Sequence, residues 1–105
     1  MEDIRARIER EVASWDGVTT APHRFGGVEF RLGKRELGHL HPRIADLPFV
    51  RTIRDMLVET GRARPHHVMP DSGWVTVALD DADEVIELFR LSYERARVAQ
   101  ARRGS

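Results

Sequence analysis

The residues best suited to chemistry in this chain are its histidines, and they are gathered. All five (His23, His39, His41, His66 and His67) fall between residues 23 and 67. The tightest spacing lies in Arg35-Glu36-Leu37-Gly38-His39-Leu40-His41. In an extended strand alternate side chains share a face, so His39 and His41 would project together, about 7 Å apart. That separation suits two ligands of one metal, or two polar groups turned toward one substrate. A plainer reading stands beside it. Alternating strands produce His-x-His by chance, and the rings would then be half-buried polar residues satisfied by backbone partners.

The second group is Pro65-His66-His67-Val68-Met69-Pro70-Asp71-Ser72-Gly73-Trp74. Two prolines and a glycine restrict the backbone while polar and aromatic side chains crowd together, and rigid loops of this kind are where sites are commonly built. Asp71-Ser72-Gly73 is equally a good turn sequence, and Trp74 a good core residue. Ser72, His67 and Asp71 are triad residue types, but neighbours within one turn cannot line up as nucleophile, base and orienter, so a serine hydrolase is set aside. Gly26-Gly27 reads as a hairpin turn and not as a phosphate-binding loop. The absence of cysteine excludes disulfides, thiolate nucleophiles and cysteine-ligated zinc.

The elements that must position these residues follow from periodicity. Ile4, Ile8, Val12 and Trp15 recur at helical spacing and predict an amphipathic helix over 2–15, ended by Asp16-Gly17. Residues 18–25 read as a strand, placed at an edge by Pro22. Val28 to Leu32 alternates as a half-buried strand does, and Gly33-Lys34 is a two-residue hairpin loop leading to a return strand, Arg35 to His41. That hairpin sets Phe30 opposite Leu37 and Val28 opposite His39, with both histidines on the apolar face and Glu36 paired with Arg31 on the other. Asp46 is expected to cap a second helix with Pro48 in its first turn and Phe49, Ile53, Met56 and Leu57 buried. Residues 62–70 are strand or loop. Gly73 to Leu79 reads as a strong strand, with Trp74, Thr76 and Ala78 on one face and Val75, Val77 and Leu79 on the other. Asp81 with Glu84 opens the last helix, whose stripe is Val85, Phe89 and Ser92 and whose basic tail runs over about 95–105. The order α-β-β-β-α-β-β-α implies an α+β two-layer domain with a mostly antiparallel sheet, one face of it covered by the terminal helices.

Composition narrows the partners. At 105 residues the chain fits one domain, 1–105, and 41% hydrophobic with 32% charged residues is a globular balance and not a disordered one. The formal net charge is +0, so no global field favours nucleic acid or anionic lipid. The arginine-rich tail has no aromatic residues interleaved for base stacking, and nucleic acid is not an expected partner. The charged opening Met1-Glu2-Asp3-Ile4 runs into no apolar segment, so no signal peptide is expected, and no stretch approaches the roughly 20 apolar residues of a membrane span. The expectation is a cytoplasmic monomer or homodimer with no membrane partner.

Several segments together resemble a known family. They are Trp15-Asp16-Gly17-Val18-Thr19, Pro22-His23-Arg24-Phe25-Gly26-Gly27-Val28-Glu29-Phe30-Arg31, Arg35-Glu36-Leu37-Gly38-His39-Leu40-His41, Gly61-Arg62-Ala63-Arg64-Pro65-His66-His67, Pro70-Asp71-Ser72-Gly73-Trp74-Val75 and Leu91-Ser92-Tyr93. In this order, over about residues 10–96, they resemble the small bacterial members of the luciferase-like domain family. That family takes its name from fungal luciferases, which oxidise a hydroxyhispidin-type pyrone with molecular oxygen. The end of the chain, from Gly73 on, is also similar to the YjbR-like fold, some members of which are proposed DNA-binding modules.

The resemblance implies a small-molecule site in which Glu36, His39, His41 and His67 are the catalytic candidates. The candidate ligand contacts are Trp74, His66, Arg31, Ser72, Asp71 and His23. It implies cofactor-free oxygen chemistry on an acidic or phenolic ligand, with a histidine as general base and neighbouring His or Arg side chains stabilising the oxyanion. No cofactor is expected. The alternatives are a divalent transition metal on His39, His41 and His67, since imidazole suits Zn, Fe, Ni and Cu, and a non-enzymatic binding module of YjbR type.

Overall fold

The computed structural model describes residues 2–104. The chain begins with α1 (Ile4–Ala13), whose N-cap Asp3 accepts a hydrogen bond from the Ala6 N–H at 2.7 Å. Three antiparallel strands follow: β1 (Val18–His23), β2 (Gly27–Leu32) and β3 (Arg35–Leu40), with a 3-10 turn over Arg24–Gly26 between the first two. Then come β4 (Ile44–Pro48), α2 (Arg51–Glu59), the short β5 (Arg64–Pro65), β6 (Trp74–Ala78) and α3 (Ala82–Gly104). The six strands form one antiparallel sheet in the order β1-β2-β3-β4-β6-β5. This is the α+β architecture expected, with one strand more. Among the described residues, no helix is long and apolar enough to cross a membrane.

Helices α1 and α3 pack side by side on one face of the sheet, while α2 lies against β5 and β6. Of the expected stripes, Ile8, Val12 and Trp15 are buried but Ile4 is exposed, and Val85, Phe89 and Ser92 are buried together with Leu88 and Tyr93. Beneath them lie Phe30, Leu40, Leu47, Val75 and Val77 of the sheet. Phe30 and Phe89 meet edge to face at 5.3 Å between centroids. Asp81 caps α3, its Oδ1 accepting from the Asp83 and Glu84 N–H groups. Two polar anchors tie α3 down. Ser92 Oγ donates to the Leu37 carbonyl at 2.8 Å, and Tyr93 OH donates to the Asp16 carbonyl at 2.7 Å. Tyr93→Phe should therefore lower stability by about 1 kcal/mol, measured by urea unfolding, because a part-buried hydrogen bond is lost.

The structure corrects two expectations. Residues 44–48 are not the approach to a helix but the central strand β4, so Asp46 is not a cap. α2 starts at Arg51 behind Val50, which makes no side-chain capping bond, and Met56 is largely exposed. The alternation Ala45, Leu47, Phe49 buries into the core and outweighs the capping signal of the aspartate.

The second correction concerns the β2–β3 register. Leu32 faces Arg35 and Arg31 faces Glu36 as the hairpin requires, but Phe30 then faces Gly38, Glu29 faces His39 and Val28 faces Leu40. A β-bulge places one extra residue in β3 at Leu37. Gly38 makes this possible. It has a φ of 146°, and a Cβ there would stand 2.8 Å from both the Asp46 carbonyl and the Phe89 ring, which press on the strand from two sides. Beyond the bulge the alternation reverses, so His39 and His41 occupy the face opposite α1 and α3, not the apolar face.

Candidate functional site

That second face carries a polar row. Glu29, His39, Asp46 and Thr76 stand directly opposite one another on β2, β3, β4 and β6, and cross-strand partners share a face. Trp74, two residues before Thr76, projects the same way. The 3-10 turn at Arg24–Gly26 and the loop after β5 flank the row. Together they enclose a pocket of about 420 Å3 lined by His23, Arg24, Phe25, Glu36, His39, His41, Asp46, His66, His67, Val68, Met69 and Trp74. Its size is in the range of small-molecule sites.

At its floor is the Asp46 carboxylate, wholly buried. Oδ2 accepts from His39 Nε2 at 3.1 Å and from His67 Nε2 at 3.2 Å, with His41 Nε2 at 3.3 Å. Oδ1 accepts from Thr76 Oγ1 at 2.6 Å, and His66 Nε2 lies 3.7 Å from it. Four imidazoles thus surround one carboxylate. The fifth, His23, stacks on His39 at 3.9 Å between centroids and bonds through Nδ1 to Glu29 Oε1 at 3.1 Å. Trp74 packs 5.5 Å from His39 and 6.0 Å from His66.

The bulge thus brings His39 to the face that carries Glu36, which accepts from His39 Nδ1 at 2.7 Å. Glu36 stands opposite Arg31 as the hairpin requires, but the two form no ion pair. Arg31 Nε donates instead to Glu29 Oε2 at 2.5 Å. Both His39 nitrogens are engaged by carboxylates. Burial opposes the charge, but the bonds to Asp46 and Glu36 outweigh it, and the imidazolium is pushed up to about 9. Burial likewise works against the Asp46 anion and is overcome by the bonds from His39, Thr76 and His67, which hold the carboxyl well below its usual range. His41 and His66 go the other way. Burial lowers both, and neighbouring imidazoles add to the effect. Glu29 is lowered by its bonds from His23 and Arg31.

Of the residues singled out by sequence, His23, Glu36, His39, His41, His66, His67 and Trp74 come together in the pocket. Arg31, Asp71 and Ser72 do not line it. Arg31 sits behind Glu29, and Ser72 forms the turn before β6, its Oγ donating to the Met69 carbonyl and accepting from the Trp74 N–H. Asp71 is exposed. Sequence reasoning missed Asp46, the residue on which the cluster converges, and also Arg24, Phe25, Val68 and Met69. The period-two alternation around Asp46 was the available signal.

Comparison with known proteins places the chain. No curated protein and no solved structure matches it. A family model described as Luciferase domain matches residues 34–92, which run from the β2–β3 loop into α3 and contain Glu36, His39, His41, Asp46, His66, His67 and Trp74. The match covers more than half of the chain, and the chain belongs to the Luciferase-domain family.

Proposed function

We propose that the pocket binds a small acidic or phenolic, enolisable molecule and supports its oxygenation by molecular oxygen. The observation that carries the reading is the pairing of an imidazole–carboxylate floor with apolar walls in one concave site. Trp74, Phe25, Val68 and Met69 suit the carbon frame of such a ligand, and the floor suits its ionisable oxygen. His39 is committed at both nitrogens and acts as a positioning and charge-stabilising group. His41 and His67 engage Asp46 through Nε2 and are the more accessible rings, the latter with 47% of its side chain exposed. One of them takes the ligand's hydroxyl proton. The resulting enolate carbon forms a bond to dioxygen, and the peroxide anion so produced takes the proton back. Ligand and dioxygen give a hydroperoxide with no outside reductant.

Trp74 supplies the readout. A panel of phenols and enolisable acids should quench its fluorescence, with Trp74→Phe removing the response that Trp15 cannot give. His41→Ala combined with His67→Ala should weaken binding at least tenfold and abolish oxygen uptake. Undiminished binding and uptake in that double variant would overturn the reading.

A further inference from the structure

The geometry of the pocket floor points to an occupant besides an organic ligand. We propose that Nε2 of His39, His41 and His67, with Oδ2 of Asp46, form a binding site for one divalent transition-metal ion. A four-coordinate ion with bonds of about 2.0–2.2 Å to nitrogen and oxygen holds its donor atoms roughly 3.3 Å apart. The three nitrogens stand 3.1, 3.2 and 3.3 Å from the one carboxylate oxygen. Ligand atoms of His23, His39 and His41 lie within 4.8 Å of one another, as do those of Asp46, His66 and His67, and Oδ2 of Asp46 joins the two groups.

The outer contacts fit the same assignment. A metal-bound imidazole usually donates its other N–H to a carboxylate, and His39 Nδ1 donates to Glu36 at 2.7 Å. Thr76 Oγ1 occupies Oδ1 of Asp46 and leaves Oδ2 turned toward the histidines. His66 is excluded by its tautomer. Its Nδ1 accepts the N–H groups of Val68 and Met69 at 3.1 and 3.0 Å, so in the neutral ring the proton sits on Nε2, the atom that would have to ligate. Three imidazoles and one carboxylate favour Zn, Fe, Co, Ni or Cu over Mg or Ca, whose sites are built from oxygen. An oxygen of a small molecule approaching from the pocket side would add a fifth ligand.

The inference shares the pocket of the proposed function but not its base. With an ion bound the imidazoles are ligands, and the ion draws the ligand's oxygen.

The test is a titration of the chelator-treated full chain with cobalt(II), read by its visible ligand-field absorption and by calorimetry, with no organic ligand present. One ion per chain is expected. His67→Ala, on the flanking loop, and Asp46→Asn should each weaken it at least tenfold. His66→Asn, whose amide oxygen can accept the two backbone N–H groups, should keep the parent affinity. Circular dichroism identifies any variant that fails to fold, and His67→Ala then decides. No cobalt bound at micromolar concentration, or equal affinity in His67→Ala, overturns the metal site. Phenol binding is then measured on stripped and loaded protein. Binding to stripped protein with no cobalt uptake leaves the histidine-base reading standing alone. Binding only to loaded protein supports the ion and removes the base.

Discussion

Asp46→Ala is expected to lower the stability of the metal-free protein by about 3 kcal/mol, a large part of the roughly 5–15 kcal/mol typical of a domain. The carboxylate is fully buried, and it is the common acceptor for His39, His67 and Thr76, with His41 and His66 close by. Removing it strands the buried Thr76 hydroxyl and His39 Nε2, and each unsatisfied buried group costs about 1–3 kcal/mol. Two effects soften the loss. His39 keeps Glu36 as a partner, and the other rings can stay neutral. Urea unfolding of the two proteins gives the difference directly. Equal stability would show instead that the rest of the fold holds the cluster together at a cost, the pattern of a site maintained for function.

An equally large effect is expected from a single methyl group at the entrance to β6. A Cβ on Gly73 would stand 2.0 Å from the Phe49 carbonyl oxygen and 3.2 Å from its carbon, far inside any tolerable contact. The two residues are already joined, the Phe49 N–H donating to the Gly73 carbonyl at 3.1 Å. Phe49 cannot retreat easily, because its ring is in the core and Val50 caps α2. Gly73→Ala should therefore cost about 3 kcal/mol or more through backbone displacement. The next residue is Trp74, so the pocket wall should move with it, and changed Trp74 fluorescence in the folded variant is expected. A loss below about 1 kcal/mol would mean that the β4 and β6 ends separate freely.

The parts of the fold legible in the sequence are those where one local signal acts without a rival. The α1 stripe, the Gly33-Lys34 hairpin, the alternating Trp74–Ala78 strand and the Asp81 cap all belong to this class. At Asp46 two local signals compete. An aspartate two residues before a proline resembles a helix start, while the alternation Ala45, Leu47, Phe49 fits a strand, and only the neighbours β3 and β6 decide for the strand. The bulge at Leu37 was illegible for a different reason. Its cause is the pressure of Phe89 and of the Asp46 backbone on Gly38, contacts made by residues remote in the chain. The histidines were visible by type, but their convergence depends on that bulge and on Asp46 together.

The bulge also sets a condition on any attempt to move this site elsewhere. Side-chain facing along a strand is a matter of parity, and one extra residue changes odd to even. Regular pairing of the same sequence, with Leu37 opposite Phe30, would send His39 toward α3 and turn Leu40 out to face the pocket. Copying Glu36, His39 and His41 onto an unbulged hairpin of another scaffold would likewise put the carboxylate on one side and the rings on the other. Grafting has to carry the irregularity and the glycine that permits it, along with the three functional side chains.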